Sequence, residues 1–426
     1  MNREKSYSKR LKDEIFNFDP ARRLFVLAAM FSAFLISAEY GIIRPASNAI
    51  FITHFTAGFF PYAWLATVPL NLAIVYLYNR FLPKWGCWRT FLTSVAAVSL
   101  VNAICGLFVE RYPLLSFFHF IWKDIYILLL FKQLWSLIHS TVDTGKAKYL
   151  YGFLFGMGGL GSVAGSLIPS FLAVKMGSPK LFFFTVPLYL ALFFFYSLAY
   201  KNSQLKTDFR AALFPDAKEG KNGFSQVLNS RFLTYILLVV VFMQISIAFV
   251  DYQFNVFLEA NISTRDLRTQ YCGRMVSIIN SLTTTFQFLG GFLLIHFLGL
   301  KNAHRSVPIF LLGNGLLFLL FPTFGMISYA YISIKAIDYS FFSVIREMLY
   351  IPLKTDEKFR AKAVIDVFGY RTAKALAAFI LLSFQFFTSS KPVYLVGFCS
   401  LITFLAWSLI VLLMFRQYKT AQDTAI

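Results

Sequence analysis

The sequence has little charge and few acidic residues. Only 14% of its 426 residues are charged, whereas soluble domains carry about a quarter. Lysine and arginine number 40 against 20 acidic residues, and 58% of the chain is hydrophobic. In a soluble protein this basic excess would suggest nucleic acid as a partner, but the positive-inside rule of membrane proteins accounts for most of it. The composition therefore predicts a membrane protein that binds no nucleic acid.

Cysteine is also scarce, and its spacing gives no metal or disulfide signal. The four cysteines lie in or beside apolar segments without CxxC or HxxC spacing: Cys87, Cys105, Cys272 and Cys399. A phosphate-binding loop is lacking, because the glycine-rich run YGFLFGMGGLGSVAG follows no strand pattern and has no GK[ST] ending. No nucleophile–base pair is visible. These absences argue against an enzyme and predict neither a metal nor a cofactor.

Long apolar runs are abundant. A membrane-spanning helix needs about 20 apolar residues, because about 30 Å of hydrocarbon is crossed at about 1.5 Å per residue. Twelve spans are predicted, and a plain hydropathy window would understate the fourth, eighth, tenth and eleventh because they contain charges. The spans lie near 24–50, 59–79, 90–109, 112–140, 149–174, 181–200, 232–258, 269–298, 306–322, 325–350, 361–388 and 392–415.

One long polar connection divides these spans into six and six. Lysine and arginine are concentrated in the segments that face the cytoplasm if the N-terminus lies inside, and an even number of spans places both termini there. The predicted parts are a cytoplasmic leader (1–23), an N-terminal six-helix half (24–200), a cytoplasmic linker (201–230), a C-terminal six-helix half (231–417) and a cytoplasmic tail (418–426).

An internal repeat relates the two halves. Charges recur with the same sign at shifts of 212 or 214 residues, among them Glu39 and Asp251, Asp124 and Asp338, and Lys132 and Arg346. Six spans repeated in parallel around a cytoplasmic linker is the arrangement of the major facilitator superfamily. We therefore expect an all-α membrane protein with twelve transmembrane helices in two six-helix halves. In that arrangement spans one, four, seven and ten line a central cavity.

Glycine is concentrated in the fifth predicted span. Gly152, Gly156, Gly161 and Gly165 form small-xxx-small pairs, which allow two helix backbones to approach closely. This spacing predicts close helix packing.

Charges inside the predicted spans are the candidates for function. A charge at a helix centre costs about 2.5–3.5 kcal/mol on insertion scales, so it usually faces a cavity or a partner. Lys335, Asp338 and Arg346 lie on one helical stripe. An ion-pair network and an anion site both remain open, and the excess of basic residues favours the anion site. The predicted substrate contacts are Arg44, Lys132, Asp251, Arg346 and Lys374, and the predicted gating or coupling residues are Glu39, Asp124, Lys335, Asp338, Asp366 and Arg371.

Arg44 has an alternative interpretation. It precedes Pro45 near the outer half of the first span. Proline there can bend the helix into the cavity, but an arginine so close to the loop can also extend its side chain to the outer headgroups.

Four stretches carry a family signature: YGIIRPASNAIFI, KQLWSLIHSTVDTGKAKYLYGFLFGMGGLGSVAG, FVDYQFNVFLEA and REMLYIPLKTDEKFRAKAVIDVFGYRTAKA. The last is the most specific, since it matches the pattern (K/R)E-x-x-YIPL followed by K-x-(K/R)-(A/G)KA-x-ID. Together they resemble the ATP/ADP translocases, the nucleotide transporter family of plastids and obligate intracellular bacteria.

The resemblance implies a multi-pass carrier, not an enzyme, that exchanges nucleotides across a membrane, which we expect to be a bacterial inner membrane. It places transport residues at Arg44, where the exchangers have lysine, and at Asp251, Lys374 and Arg346. At Lys132 the exchangers have glutamate. At an effective dielectric of about 20, the interaction energy between two unit charges about 4 Å apart is about 4 kcal/mol, before the cost of removing water from them is counted. The replacement can therefore alter which anion binds.

Three functions remain open from the sequence. The first is alternating-access transport of a nucleotide or another anionic small molecule across the lipid bilayer. The second is symport of another organic anion or metabolite with a proton. The third is a non-transporting scaffold whose basic cytoplasmic face binds anionic lipid or a partner. The oligomeric state is left open.

Overall fold

The computed structural model describes residues 20–139, 141, 144–203, 223–287, 291–350, 361–388 and 392–423. Within these ranges the regular structure is helical, and no strand occurs in them. Apolar segments form helices in a membrane because a helix satisfies its own backbone N–H and C=O groups, which lipid cannot do. The predicted all-α class is confirmed. Most of the predicted leader and most of the predicted linker lie outside the described ranges.

The first half of the chain contains five long helices. Two short 3-10 segments, Ala57–Phe59 and Ser178–Phe184, lead into the second and the fifth of them. The helices are α1 (Pro20–Phe55), α2 (Phe60–Phe108), α3 (Leu114–His139), α4 (Thr144–Met176) and α5 (Thr185–Lys201).

The second half combines α-helices with π-helical segments. The side chains of Ser230, Thr264 and Thr323 accept backbone N–H bonds at the starts of α7, α8 and α10, as N-cap residues do. Two of the π-helical segments are Asp338–Phe342 and Ala363–Gly369. The α-helices are α6 (Gly223–Asn229), α7 (Arg231–Asn261), α8 (Arg265–Thr285), α9 (Gly291–Leu320), α10 (Phe324–Ile337), α11 (Ser343–Leu349), α12 (Tyr370–Thr388) and α13 (Val393–Asp423).

Nine helices in the described part of the chain are long and apolar enough to cross a membrane. One of them, Ala57–Phe108, contains two of the predicted spans. The eighth and tenth predicted spans are not among the nine. The described part of the eighth is rich in serine, threonine and other polar residues, and the tenth contains the charges Lys335, Asp338, Arg346 and Glu347. The nine helices and these two charged spans together correspond to the twelve predicted spans.

Two glycines turn the chain between neighbouring spans. Gly86 has φ 74° and Gly299 has φ 70°, inside α2 and α9 respectively. Only glycine adopts this left-handed region without a steric cost. The two positions are 213 residues apart, which agrees with the shift of the predicted internal repeat. Backbone conformation therefore recurs at nearly the same shift as the charges.

Contacts between residues divide the chain into two compact units. Unit 1 comprises Met1–Phe51, Leu70–Ala217 and Thr269–Ser277. Unit 2 comprises Ile52–Pro69, Lys218–Arg268 and Ile278–Ile426. Each unit thus includes a short segment from the other half of the sequence. The predicted limits of the two six-helix halves, 24–200 and 231–417, remain predictions.

Glycines of α4 lie against the backbone of α1 in unit 1. A Cβ added at Gly161 would overlap the carbonyl oxygen of Phe34, and a Cβ added at Gly165 would overlap that of Ala38. At these two positions the predicted close helix packing is confirmed.

Helix α7 is the central helix of unit 2. It packs against α13, α10 and α12, and most of its side chains are buried. A helix that is apolar on nearly all sides is stable only when neighbours surround it. This position brings Asp251 of α7 close to the charged stripe of α10.

Candidate functional site

An ion pair joins α7 to α10 in unit 2. The Lys335 ammonium lies 2.7 Å from Oδ2 of Asp251, and both side chains are largely buried. Immediately after Lys335 the helix takes π-helical turns over Asp338–Phe342. Such turns are rare in proteins and frequent at functional sites. The structure thus pairs a predicted coupling residue, Lys335, with a predicted substrate contact, Asp251.

Arg346 lies further along the same stripe, in α11. Its Nε is 3.8 Å from Oδ1 of Asp366, which is an ion-pair distance but too long for a hydrogen bond. Its Nη1 donates to the hydroxyl of Tyr370 at 3.3 Å. The Nε is buried and has no hydrogen-bond partner. An unsatisfied charged donor in a buried position favours an anionic oxygen, because leaving it unpaired costs free energy.

Two tyrosines that the sequence analysis did not single out connect these charges. The Tyr370 hydroxyl donates to Oδ1 of Asp338 at 3.3 Å, and the Tyr350 hydroxyl donates to Oδ1 of Asp366 at 3.4 Å. Asp338 also lies within electrostatic range of Arg346. The four-residue step from Asp366 to Tyr370 was the available signal, since it places both on one helix face.

Helix α12 carries the two remaining predicted residues of unit 2. Lys374 lies four residues after Tyr370, and its ammonium is 5.3 Å from the centre of the Trp64 ring. This is a cation–π distance. Arg371 is half-buried on the same helix. Trp64 belongs to the Ile52–Pro69 segment, which was not a candidate in the sequence analysis.

Asp124 of unit 1 is held by its own neighbour in sequence. The Lys123 ammonium is 2.9 Å from Oδ1 of Asp124, and the Tyr40 hydroxyl donates to the same oxygen at 2.9 Å. The Arg44 guanidinium lies 6.0 Å from the centre of the Tyr40 ring. Sequence reasoning missed Lys123 because it relied on the internal repeat, and the equivalent position is the apolar Ile337.

Glu39 of α1 is buried among neutral donors. Its Oε1 accepts bonds from the hydroxyls of Tyr126 and Tyr189, each at 2.6 Å, and from the Asn102 amide at 3.3 Å. Its Oε2 is buried without a hydrogen-bond partner. Asn102 in turn contacts His119, 3.1 Å away. The group lies in unit 1 and forms a compact polar network inside an apolar core.

Lys132 differs from its repeat counterpart, Arg346. It is exposed at the surface of α3, and its ammonium lies 5.2 Å from the centre of the Tyr78 ring. The repeat predicts the sign of the charge at both positions, but the surroundings differ.

Unit 2 brings cations and carboxylates together in one cluster. Two cations, Lys335 and Arg346, lie beside three carboxylates, Asp251, Asp338 and Asp366. An incoming anion would have to compete with these carboxylates for the two cations. In the described part of the chain no group of His, Cys, Asp or Glu side chains is arranged to hold a metal ion.

Comparison with known proteins identifies the relatives of this chain. A sequence profile of the TLC ATP/ADP transporter family matches residues 323–418, which include α10, α11, α12 and most of α13. The predicted resemblance to the ATP/ADP translocases is confirmed. The chain is 27% identical over 319 residues to ADP,ATP carrier protein 3 of Rickettsia bellii, and 24% identical over 321 residues to ADP,ATP carrier protein 3 of Rickettsia prowazekii. Each alignment covers 63% of this chain and 62% of the relative.

Solved transporter structures share the fold of this chain. The nucleoside transporter NupG superposes with a TM-score of 0.67 at 11% identity, covering 92% of this chain and 99% of NupG. A bacterial homologue of the iron transporter ferroportin, in an inward-facing state, gives 0.69 at 10% identity, covering 93% and 99%. These structures confirm the predicted major facilitator-like fold of a multi-pass membrane protein.

Proposed function

We propose that this protein is an alternating-access transporter of nucleotides, which exchanges ATP for ADP or takes up a related nucleotide. The observation that carries the proposal is the buried guanidinium of Arg346, whose Nε has no hydrogen-bond partner and lies 3.8 Å from Asp366. A guanidinium matches the geometry of phosphate oxygens, which accept two parallel N–H bonds. The similarity to proteins named ADP,ATP carriers supports the nucleotide as substrate.

On substrate binding, phosphate would replace the carboxylates as the partners of Arg346 and Lys335. In unit 2 the basic residues are not in free excess, because Asp366 lies beside Arg346 and Asp251 beside Lys335. A phosphate that displaces Asp366 from Arg346 keeps the cation paired throughout. This avoids the cost of a buried unpaired charge, which would otherwise oppose emptying and refilling of the site.

The other predicted residues have proposed roles that follow from their contacts. Tyr370 lies between Asp338 and Arg346 and would position the guanidinium. Lys374, on the same face of α12, would hold a second phosphate group. Arg44 and Lys132 of unit 1 remain proposed substrate contacts, and Asp124 and Arg371 remain proposed gating or coupling residues.

Exchange of ATP for ADP would respond to the membrane potential. The two nucleotides differ by about one charge, and moving one charge is worth about 2.3 kcal/mol per 100 mV. We place both termini in the cytoplasm and the protein in a bacterial inner membrane. The concentration of lysine and arginine in the segments assigned to the inside supports this orientation.

The proposal is tested by uptake of radiolabelled nucleotides into proteoliposomes that contain the purified protein. Internal ADP should accelerate ATP uptake, and an imposed potential should change the rate. Arg346→Ala should lower uptake about 10- to 100-fold, while Lys175→Ala, at an exposed lysine near the end of α4, should behave like wild type. Absence of uptake for every nucleotide, with no stabilisation of the protein by any of them, would refute the proposal.

Proton-coupled uptake is a second candidate, and Glu39 favours it. This carboxyl is buried, and its hydrogen-bond donors in the described part of the chain are the neutral groups of Tyr126, Tyr189 and Asn102. Buried acids inside membrane spans commonly mark proton pathways. A protonophore separates the two candidates. It should stop uptake if a proton drives transport, and it should leave ADP-stimulated exchange intact if nucleotides are exchanged.

A further inference from the structure

Helix α9 of unit 2 has one buried and one exposed face after the turn at Gly299. It packs against α13, where the ring of His304 lies 5.4 Å from that of Phe415. The opposite face of α9 is left exposed. The side chains on the packed face are buried: Ala303, His304, Val307, Leu311, Asn314 and Phe318.

Two cations stand at the start of the exposed face. Lys301 and Arg305 are four residues apart, so they are neighbours on one side of the helix. Lys301 is exposed and Arg305 is partly exposed, but the Nε of Arg305 is buried without a hydrogen-bond partner. Neither residue belongs to an ion pair in the described part of the chain. Two cations without a carboxylate favour an anionic ligand.

Apolar residues continue the same face toward the middle of the span. Ile309, Gly313 and Leu316 follow Arg305 at steps of three or four residues. The side chain of Ile309 is 59% exposed and that of Leu316 is 46% exposed. A Cβ added at Gly313 would meet no atom within 4 Å, so open space lies beside the helix there. From Arg305 to Leu316 the helix rises about 16 Å, which is about half the thickness of the hydrocarbon core.

The cations lie at the boundary of the membrane. Gly299 turns the chain between the eighth and ninth predicted spans, and Lys301 follows it by two residues. A connection after an even-numbered span is on the same side as the N-terminus, which is the cytoplasmic side in the proposed orientation. Anionic lipids give the cytoplasmic leaflet a negative surface potential, which attracts basic residues placed there.

The internal repeat does not account for this pair of cations. The shift of 213 residues that relates the two turn glycines places Trp88 opposite Lys301 and Leu92 opposite Arg305. In unit 1 the Trp88 Nε1 donates to the hydroxyl of Ser197 at 3.2 Å. The corresponding face of unit 1 therefore carries uncharged residues, and the cation pair belongs to α9 alone of the two.

We propose that the exposed face of α9 binds an anionic phospholipid of the inner leaflet. The lipid phosphate lies between Lys301 and Arg305, and one acyl chain follows Ile309, Gly313 and Leu316. The order of groups along this face, two cations and then one leaflet of apolar surface, is complementary to such a lipid. A zwitterionic lipid fits less well, because Lys301 repels the ammonium of its headgroup. The inference goes beyond the proposed transport and rests only on the proposed orientation.

A lipid titration of the purified protein tests the site. Delipidated protein in detergent is titrated with dioleoylphosphatidylglycerol, which should raise the melting temperature as its concentration increases. Lys301→Ala combined with Arg305→Ala should weaken the apparent affinity about 10- to 30-fold. Without lipid this double variant should melt within about 2 °C of wild type, which shows that it folds. Native mass spectrometry should show one bound phosphatidylglycerol fewer.

A pair of cations at the corresponding turn of unit 1 provides the matched control. Lys84 and Arg89 are both exposed, and the turn at Gly86 separates them, so they do not share a helix face. Lys84→Ala with Arg89→Ala removes the same charge and should leave the affinity within about twofold of wild type. Equal losses in the two double variants would mean that overall basic charge attracts the lipid, and would overturn the site.

Two further ligands distinguish the source of the phosphate. Dioleoylphosphatidylethanolamine should bind at least about fivefold more weakly than phosphatidylglycerol, because it carries no net charge. Millimolar inorganic phosphate should leave the melting temperature unchanged, because it has no acyl chain. Equal affinity for the two lipids would overturn the proposal. A free-anion site would replace it if phosphate alone stabilised wild type but not the Lys301 and Arg305 variant.

The acyl-chain path has its own variant. Gly313→Phe fills the open space beside α9 and should weaken phosphatidylglycerol binding about threefold or more, while Gly313→Ala should have less than half that effect. Unchanged affinity in Gly313→Phe would overturn the assigned path.

These binding measurements separate the lipid site from the proposed transport. If wild type takes up no nucleotide but binds phosphatidylglycerol through Lys301 and Arg305, the proposed function fails and the lipid site stands. If it transports nucleotides while the double variant binds the lipid as wild type does, only the lipid site fails.

Discussion

Glu39 and Asp251 are equivalent in the internal repeat, yet their surroundings are opposite in character. Asp251 of unit 2 lies 2.7 Å from the ammonium of Lys335. Glu39 of unit 1 accepts bonds from two tyrosines and an asparagine, which are all neutral. The repeat thus preserves the position and sign of a charge, while neighbouring residues outside the repeat decide what the charge does.

The basic pair of the repeat shows the same divergence. Arg346 is buried beside Asp366 and Tyr370 in unit 2, while Lys132 is exposed on α3 of unit 1. Exposed charges are screened by water and salt, and buried charges are not. At this repeat position unit 2 therefore holds the more strongly interacting charge, and the following predictions measure that difference.

The largest effect is expected at the ion pair of unit 2. Lys335→Ala removes one partner and leaves Asp251 largely buried without its cation. We expect the free energy of unfolding in detergent to fall by about 3–5 kcal/mol, which is typical of a broken buried pair. Lys301→Ala, at an exposed lysine, should change it by less than about 0.5 kcal/mol.

A double variant distinguishes a lost pair from lost packing. Adding Asp251→Asn to Lys335→Ala removes the unpaired charge, so most of the lost stability should return. If the double variant is as unstable as the sum of the single variants, the two residues do not interact as described.

The second prediction compares Arg346 with Lys132 directly. A hydrogen bond to a charged group contributes about 1.5–3 kcal/mol, so Arg346→Ala should lower nucleotide uptake about 10- to 100-fold. Arg346→Lys keeps the charge but loses the planar fork and should retain part of the activity. Lys132 is also a proposed substrate contact, but its charge is exposed, so Lys132→Ala should lower uptake less, by about 3- to 10-fold. Equal losses at both positions would show that the two halves contribute alike.

Features that depend on local sequence were predictable. Most spans follow from a run of apolar residues long enough to cross the bilayer. Of the four charged spans expected to fall below a hydropathy threshold, the eighth and tenth did so, whereas the fourth and eleventh did not. The block from Arg346 to Ala375 carried the resemblance to the ATP/ADP translocases. These signals lie within short stretches of chain, so they need no knowledge of tertiary contacts.

Contacts between distant segments were not predictable in the same way. The partners Asp251 and Lys335 are 84 residues apart, and the sequence of neither span indicates which residue of the other it contacts. Tyr370 was missed because a tyrosine in a membrane span usually indicates only an interfacial or lipid-facing position. The exchange of Ile52–Pro69 and Thr269–Ser277 between units depends on how helices pack, which periodicity does not encode.

The smallest effect is expected at Glu39, where substitution tests the neutral network of unit 1. Glu39→Gln keeps an acceptor oxygen for the hydroxyls of Tyr126 and Tyr189, so the free energy of unfolding should change by less than about 1 kcal/mol. Glu39→Ala leaves both hydroxyls without that acceptor and creates a cavity, so it should cost about 2–4 kcal/mol.

Uptake by the Glu39→Gln variant decides what the network does. The amide cannot release a proton, whereas it preserves the shape and the hydrogen bonds around Oε1. If the protein exchanges nucleotides without a proton, ADP-stimulated uptake by Glu39→Gln should remain within about twofold of wild type. If a proton drives transport through this carboxyl, concentrative uptake should be lost while exchange at equal concentrations persists. Loss of both activities in a stable variant would instead place Glu39 in the substrate path. Glu39 and Asp251 would then differ in which ligand they contact, and not only in whether a cation lies beside them.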